Sequence, residues 1–72
     1  MNTFQLRYDS DTDRYYLDDE PLHCGDCFQV FIHYGLTGQD EWTETRIELD
    51  GQGEWYLVGL IGYQIAGLFA RR

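Results

Sequence analysis

The segment from Cys27 to Tyr34 sets Phe28, Val30 and Ile32 against Cys27, Gln29, Phe31 and His33, residue by residue. A period of two belongs to a strand with one face buried, and a run this long fits no other regular structure. A second run, Trp42 to Leu49, behaves the same way. Thr43, Thr45, Ile47 and Leu49 share one face, and Trp42, Glu44, Arg46 and Glu48 share the opposite, wetter one. No window elsewhere holds a 3.6-residue apolar stripe of useful length, which leaves little room for helix.

Turn signals divide the remainder into short strands. Phe4, Leu6 and Tyr8 alternate with Gln5 and Arg7, and the polar cluster Asp9 to Asp13 follows as a turn. Tyr15 and Leu17 continue a second strand, which Asp18 to Pro21 breaks, because proline cannot donate to a ladder. Gly35 to Gln39 reads as a loop, and Asp50-Gly51-Gln52-Gly53 as a hairpin turn, since glycine accepts positive φ without steric cost. Glu54 to Val58 is the returning strand, in which Trp55 alternates with Leu57 and is expected in the core. Gly62 to Gly67 predicts one short helical turn, and Leu68 to Arg71 a last short strand.

The elements predict a mostly β fold: a small antiparallel barrel of five to six strands with one short helical turn, in a single domain spanning residues 1–72. A chain of this size buries only about 60% of the surface it exposes unfolded, so its stability is modest. Two Trp, six Tyr and four Phe supply a core without help from a metal or a disulfide. The order Leu22-x-x-Gly25-Asp26-x-Phe28-x-Val30 resembles the turn-and-strand entry of SH3-like barrels. The acidic-aromatic segment and late proline of the SH3 proline-peptide groove are absent, so this resemblance implies a fold class and not that ligand.

Charge narrows the partners. Thirteen Asp and Glu face five Arg and no Lys, for a net charge of −8. Such a surface repels nucleic acid and anionic membrane, and direct binding to either is not expected. It suits a basic protein, a cation, or solubility alone. The most apolar run, Trp55 to Gly67, is too short for a membrane span and is interrupted by glycine. The N-terminal residues show no basic stretch followed by an apolar one, so a cytoplasmic monomer is expected.

Cys24 and Cys27, with His23 and His33, are the nitrogen and sulfur ligands available to zinc. Neighbouring side chains of extended chain point apart, so convergence of all four is not expected, and no metal or other cofactor is predicted. Both cysteines are expected to be small packing residues. A Cys–His nucleophile would need a positive environment, and the surroundings are acidic. Asp9, Asp11, Asp13 and Glu20 fall at positions one, three, five and twelve of a calcium loop, but Arg14 stands where the sixth-position glycine belongs. No catalytic residue is predicted. The best functional candidate is the face carrying Trp42, Glu44, Arg46 and Glu48, because Trp and Arg are enriched at binding hot spots.

Four motifs, Leu22-His23-Cys24-Gly25-Asp26-Cys27, Trp42-x-x-Thr45-Arg46-Ile47-Glu48, Glu54-Trp55-Tyr56-Leu57-Val58-Gly59 and Ala66-Gly67-Leu68, together resemble the DUF5348 family. The resemblance runs from about Arg14 to Ala70. It implies a small bacterial protein, mainly of Gram-positive hosts and often accompanying phage and other mobile elements, and it brings no catalytic residues. The expected function is non-catalytic: an acidic module that binds and inhibits a basic host protein of defence or nucleic-acid handling by mimicking phosphate. The alternatives are a protein that sequesters a nucleotide signal, which would need more cations than Arg7, Arg14, Arg46, Arg71 and Arg72, and a zinc or redox module built on Cys24 and Cys27.

Overall fold

The two alternating runs pair with each other. In the computed structural model, which describes residues 2–72, the chain forms β1 (Phe4–Gln5), β2 (Arg7–Asp9), β3 (Arg14–Leu17), β4 (Glu20–Pro21), β5 (Cys27–Tyr34), β6 (Gln39–Leu49), β7 (Trp55–Leu57) and β8 (Phe69–Arg71). The fold is all-β, with no helix among the described residues. All the pairings are antiparallel, and the strands are divided between a five-stranded sheet, β1-β8-β5-β6-β7, and a three-stranded sheet, β2-β3-β4.

Hydrophobic alternation sets the register. β5 and β6 pair from Cys27 opposite Arg46 to Tyr34 opposite Gln39. This puts Phe28, Val30 and Ile32 on the same face as Ile47, and all four are buried. Leu6, Leu17, Leu22, Leu57, Leu60, Ile65 and Ala70 complete the core. A one-residue slip would turn the buried set out to solvent, so burial itself holds the ladder in place. The one buried polar residue in the described chain, Thr45, donates its hydroxyl to the Val58 carbonyl at 2.9 Å.

The segment expected as one strand from Phe4 to Tyr8 is two, broken at Leu6. The Leu6 amide donates to the Leu68 carbonyl and its carbonyl accepts from Gly67, both at 2.8 Å. At that point the chain leaves β8 and joins β3, which is how a single run serves both sheets. Pro21 does not end the pairing: it sits opposite Tyr16 in β4, at the edge of the three-stranded sheet, where a missing N–H is tolerated. The helical turn expected at Gly62 to Gly67 is absent. The chain instead makes tight turns, with Tyr63 donating to Leu60 at 3.3 Å and Leu68 to Ile65 at 3.1 Å. Gly59, Gly62 and Gly67 all have positive φ, which a right-handed helix does not admit.

Trp55 is less central than its alternation with Leu57 predicts. Leu57 is fully buried, whereas Trp55 packs against the rim of the core, half-buried. Its indole N–H donates to the Asp13 carbonyl at 3.0 Å, and the Arg14 guanidinium lies 5.8 Å from its ring. Leu49, on the same face as Ile47, lies beyond the core and is 42% exposed.

The β6–β7 turn depends on one side chain. Asp50 Oδ1 accepts from the amides of Gln52 at 2.8 Å and Glu54 at 2.9 Å. Gly53 has a φ of 82°, whereas Gly51 is not in the left-handed region. Asp50→Ala is expected to lower stability by about 1–3 kcal/mol, as two hydrogen bonds to a charged acceptor imply. Gly53→Ala should cost about 1–2 kcal/mol and Gly51→Ala under about 0.5 kcal/mol. Urea unfolding of the three variants measures these differences, and equal losses at Gly51 and Gly53 would contradict the assignment.

Tyrosines couple the three-stranded sheet to pH. Tyr8 donates its phenol proton to Asp13 Oδ1 and packs at 5.1 Å between ring centres against Tyr15. The hydrogen bond to Asp13, first, raises the Tyr8 pKa; burial, first, raises that of Tyr15, helped by the charges of Asp13 and Glu54. Both shifts favour the neutral phenol in the folded chain. Their contribution is therefore complete below the ordinary tyrosine value near 10 and is lost as pH rises through the folded values. Stability measured between about pH 8 and 11.5 should fall above about pH 10. Tyr8→Phe should make that fall shallower.

Candidate binding face

Residues facing away from the core on β5, β6 and β8 form one continuous surface. β5 contributes Cys27, Gln29, Phe31 and His33. Directly across the ladder stand Arg46, Glu44, Trp42 and Asp40 of β6. β8 adds Arg71 beside Gln29, and β7 adds Tyr56 beside Glu48. The four residues singled out from the sequence thus do share one face of one strand, as their spacing implies.

Their environments differ. Arg46 is held by Glu48, Nε to Oε2 at 3.0 Å, an ion pair along the strand. The Glu48 side chain is only 28% exposed, while Arg46 is half exposed. Glu44 has no ion pair among the described residues and stands open to solvent. Trp42 meets Phe31 edge-on, with ring centres 5.2 Å apart. The Arg71 guanidinium lies 4.0 Å from the Trp42 ring centre and is fixed by an Nε–H bond to Gln29 Oε1 at 2.8 Å. Arg71 therefore reaches across β5 to cover part of a tryptophan on β6. His33 and Asp40 close the row through an Nδ1–Oδ1 contact of 2.6 Å.

Phe31, Gln29 and Arg71 were not among the residues proposed from sequence. Phe31 was within reach: alternation on both sides of the Gly35 to Gln39 loop brings it opposite Trp42. Arg71 carries no local signal, because its place depends on β8 pairing with a strand forty residues earlier in the chain. Chemically, this face joins a rigid aromatic pair to a free carboxylate and two cations that are already engaged. It can pack an apolar group and attract a positive one.

Other sequence candidates fare differently. Cys24 and Cys27 are both exposed, so neither is the packing residue expected. Cys24 lies within a tight turn, in which Asp26 N–H donates to the His23 carbonyl and Asp26 Oδ2 accepts from the His23 amide at 2.8 Å, and Cys27 opens β5 on its outward face, opposite Arg46. Among the described residues no three His, Cys, Asp or Glu side chains gather at one point suited to a metal ion. Two carboxylates of the apparent calcium loop are occupied within their own turn, and a third, Glu20, faces Arg72 at 3.8 Å. Asp9 accepts from the Asp11 amide and the Thr12 hydroxyl, and Asp13 accepts from Tyr8. A shallow groove of about 400 Å³ between Tyr34, Leu36, Thr37, Glu41 and Tyr63 has no cation in its wall. No helix in the described chain is long and apolar enough to cross a membrane.

Arg71→Ala should uncover Trp42. In a Trp55→Phe background, acrylamide should quench the remaining tryptophan fluorescence more strongly, and stability should fall by only about 0.5–1 kcal/mol, the scale of an exposed cation–π contact. Unchanged quenching would mean that the guanidinium does not shield the ring.

Residues 4–71 match the family model described as a domain of unknown function, DUF5348. Among solved structures, the chain is similar to the crystal structure of a protein from Ruminococcus gnavus produced by a structural genomics consortium. The two are 38% identical, with a TM-score of 0.74, over 99% of this chain and 100% of the other. No curated protein matches the chain.

Proposed function

The chain belongs to the DUF5348 family, and we propose that it serves as a non-catalytic module whose acidic, aromatic sheet face binds a basic protein. The observation that carries this reading is the placement of Trp42 and Phe31 beside the unpaired Glu44, with Asp40, Glu41 and Glu48 on the same strand. The aromatic pair supplies affinity once water is excluded, and the carboxylates supply rate and selectivity. A net charge of −8 strengthens the attraction at long range.

In the mobile-element setting that the family resemblance implies, the partner is a host protein of defence or nucleic-acid handling. The carboxylates of this face stand in for phosphates and occupy the partner's basic channel. The same charges that attract such a protein disfavour direct contact with DNA, RNA or anionic membrane.

The test is capture from a bacterial host lysate at low and high salt, followed by affinity measurement with the purified partner. Glu44→Lys leaves the Arg46–Glu48 pair intact and should weaken binding about tenfold or more at low salt. The difference should shrink near ~0.5 M salt, where screening acts over a few ångströms. A partner whose affinity ignores both the reversal and the salt would overturn the electrostatic reading in favour of an apolar interface.

A further inference from the structure

The backbone of β6 is paired on only one side along most of its length. β5 pairs with Gln39 to Arg46, whereas β7 reaches only Ile47, Glu48 and Leu49. The direction of the unpaired groups follows from the ladder. The Val58 amide donates to the Arg46 carbonyl at 3.0 Å, so Arg46 points its backbone away from β5. The Gly25 amide donates to the Ile47 carbonyl on the β5 side, as alternation in an antiparallel pair requires. By the same alternation Glu44, Trp42 and Asp40 turn their N–H and C=O groups outward, beyond the end of β7. No backbone hydrogen bond to those groups is found in the turns and loops of the described chain. Alternate residues are ~6.7 Å apart along a strand, so the open edge is roughly 13 Å long, enough for about five residues of added strand.

We propose that this edge is a strand-addition site for an extended basic peptide segment, which pairs with Asp40, Trp42 and Glu44 as an additional strand of the five-stranded sheet. Exposed edges of this kind template pairing with another chain. Charge selects the occupant. Asp40 and Glu44 flank Trp42 on one face of the edge and Glu41 lies on the other, so a second copy of β6 would set carboxylates against carboxylates, whereas Lys or Arg placed opposite Asp40 and Glu44 meets them favourably. The residue paired with Trp42 would be apolar and would extend the Phe31–Trp42 cluster. β5 also runs past the end of its ladder with β8, which covers Gln29 and Val30, but Phe31 and His33 bring no carboxylate to that edge.

This inference rests on the reading of the β6 face as a docking site for a basic protein. It adds that the partner's contacting segment is extended and that backbone hydrogen bonds hold it. The probe is the synthetic peptide acetyl-Thr-Lys-Thr-Val-Thr-Lys-Thr-amide, whose two Lys flank Val at period two as Asp40 and Glu44 flank Trp42, titrated into the intact chain and followed by amide chemical shifts and hydrogen exchange. Strand addition predicts slowed exchange at Trp42 and Glu44. It also predicts that only one of the two alternately N-methylated peptides loses affinity, by about tenfold or more, since each missing backbone hydrogen bond is worth a factor of about two to ten. Binding without amide protection, with both methylated peptides equal to the parent, overturns strand addition and leaves the electrostatic reading of the face standing. Protection that is indifferent to salt keeps the edge and overturns the electrostatic reading. Absence of binding at low salt overturns both. Protection that grows with protein concentration in the absence of peptide assigns the edge to a second copy and overturns the choice of a basic peptide.

Discussion

The β5–β6 ladder is the constraint on which the rest of the molecule depends. Its register buries Phe28, Val30, Ile32 and Ile47 on one side and lays out Cys27, Gln29, Phe31 and His33 opposite Arg46, Glu44, Trp42 and Asp40 on the other. Both consequences come from the same period of two, so the core and the candidate binding face cannot be altered independently. The turn before β5 reinforces the register, because Gly25 and Asp26 exchange backbone hydrogen bonds with Ile47 at 2.8 and 3.1 Å. Everything else is attached to this hairpin: β8 along part of β5, β7 at the far end of β6, and the three-stranded sheet through Leu6.

The mismatch in strand lengths leaves part of one edge unpaired. β6 has 11 residues and β7 has 3, so the sheet narrows to the bare hairpin as it approaches the Gly35–Gly38 loop. Natural sheets protect such edges with charge, and here the protecting residues are all acidic. The edge therefore discourages pairing with copies of itself while remaining open to a chain of opposite charge. The aromatic contact between Phe31 and Trp42 lies where the sheet is narrowest, so an apolar side chain can approach it from the side as well as from above.

Much of this was legible in the sequence, for identifiable reasons. The strands β5, β6 and β7, the Asp50–Gly53 turn and the shared face of Trp42, Glu44, Arg46 and Glu48 all follow from local periodicity and turn chemistry. The readings that failed turned on where a segment lies against the core or on a backbone conformation that residue type alone leaves open. Cys24 and Cys27 are small and apolar in character, yet one lies in the turn before β5 and the other on the outward face of β5. Trp55 has the alternation of a core residue, but its position near the start of a short edge strand leaves it on the rim. The glycines of the segment after β7 suit a helical end as well as a series of turns, and only their positive φ angles separate the two.

By itself the sequence determined the all-β class, the inward and outward sets of each long strand, and a net charge that favours basic partners. These properties are local or additive: side-chain period, turn preference and a sum of charges. Tertiary structure alone decided that the strands divide into two sheets, that Arg71 covers Trp42 from across β5, and that half of β6 is left with an open edge. Each of these depends on where one strand stops relative to another and on which strand lies beside it. Pairing between distant segments is settled by the competition for burial over the whole chain, and no window of sequence contains that competition.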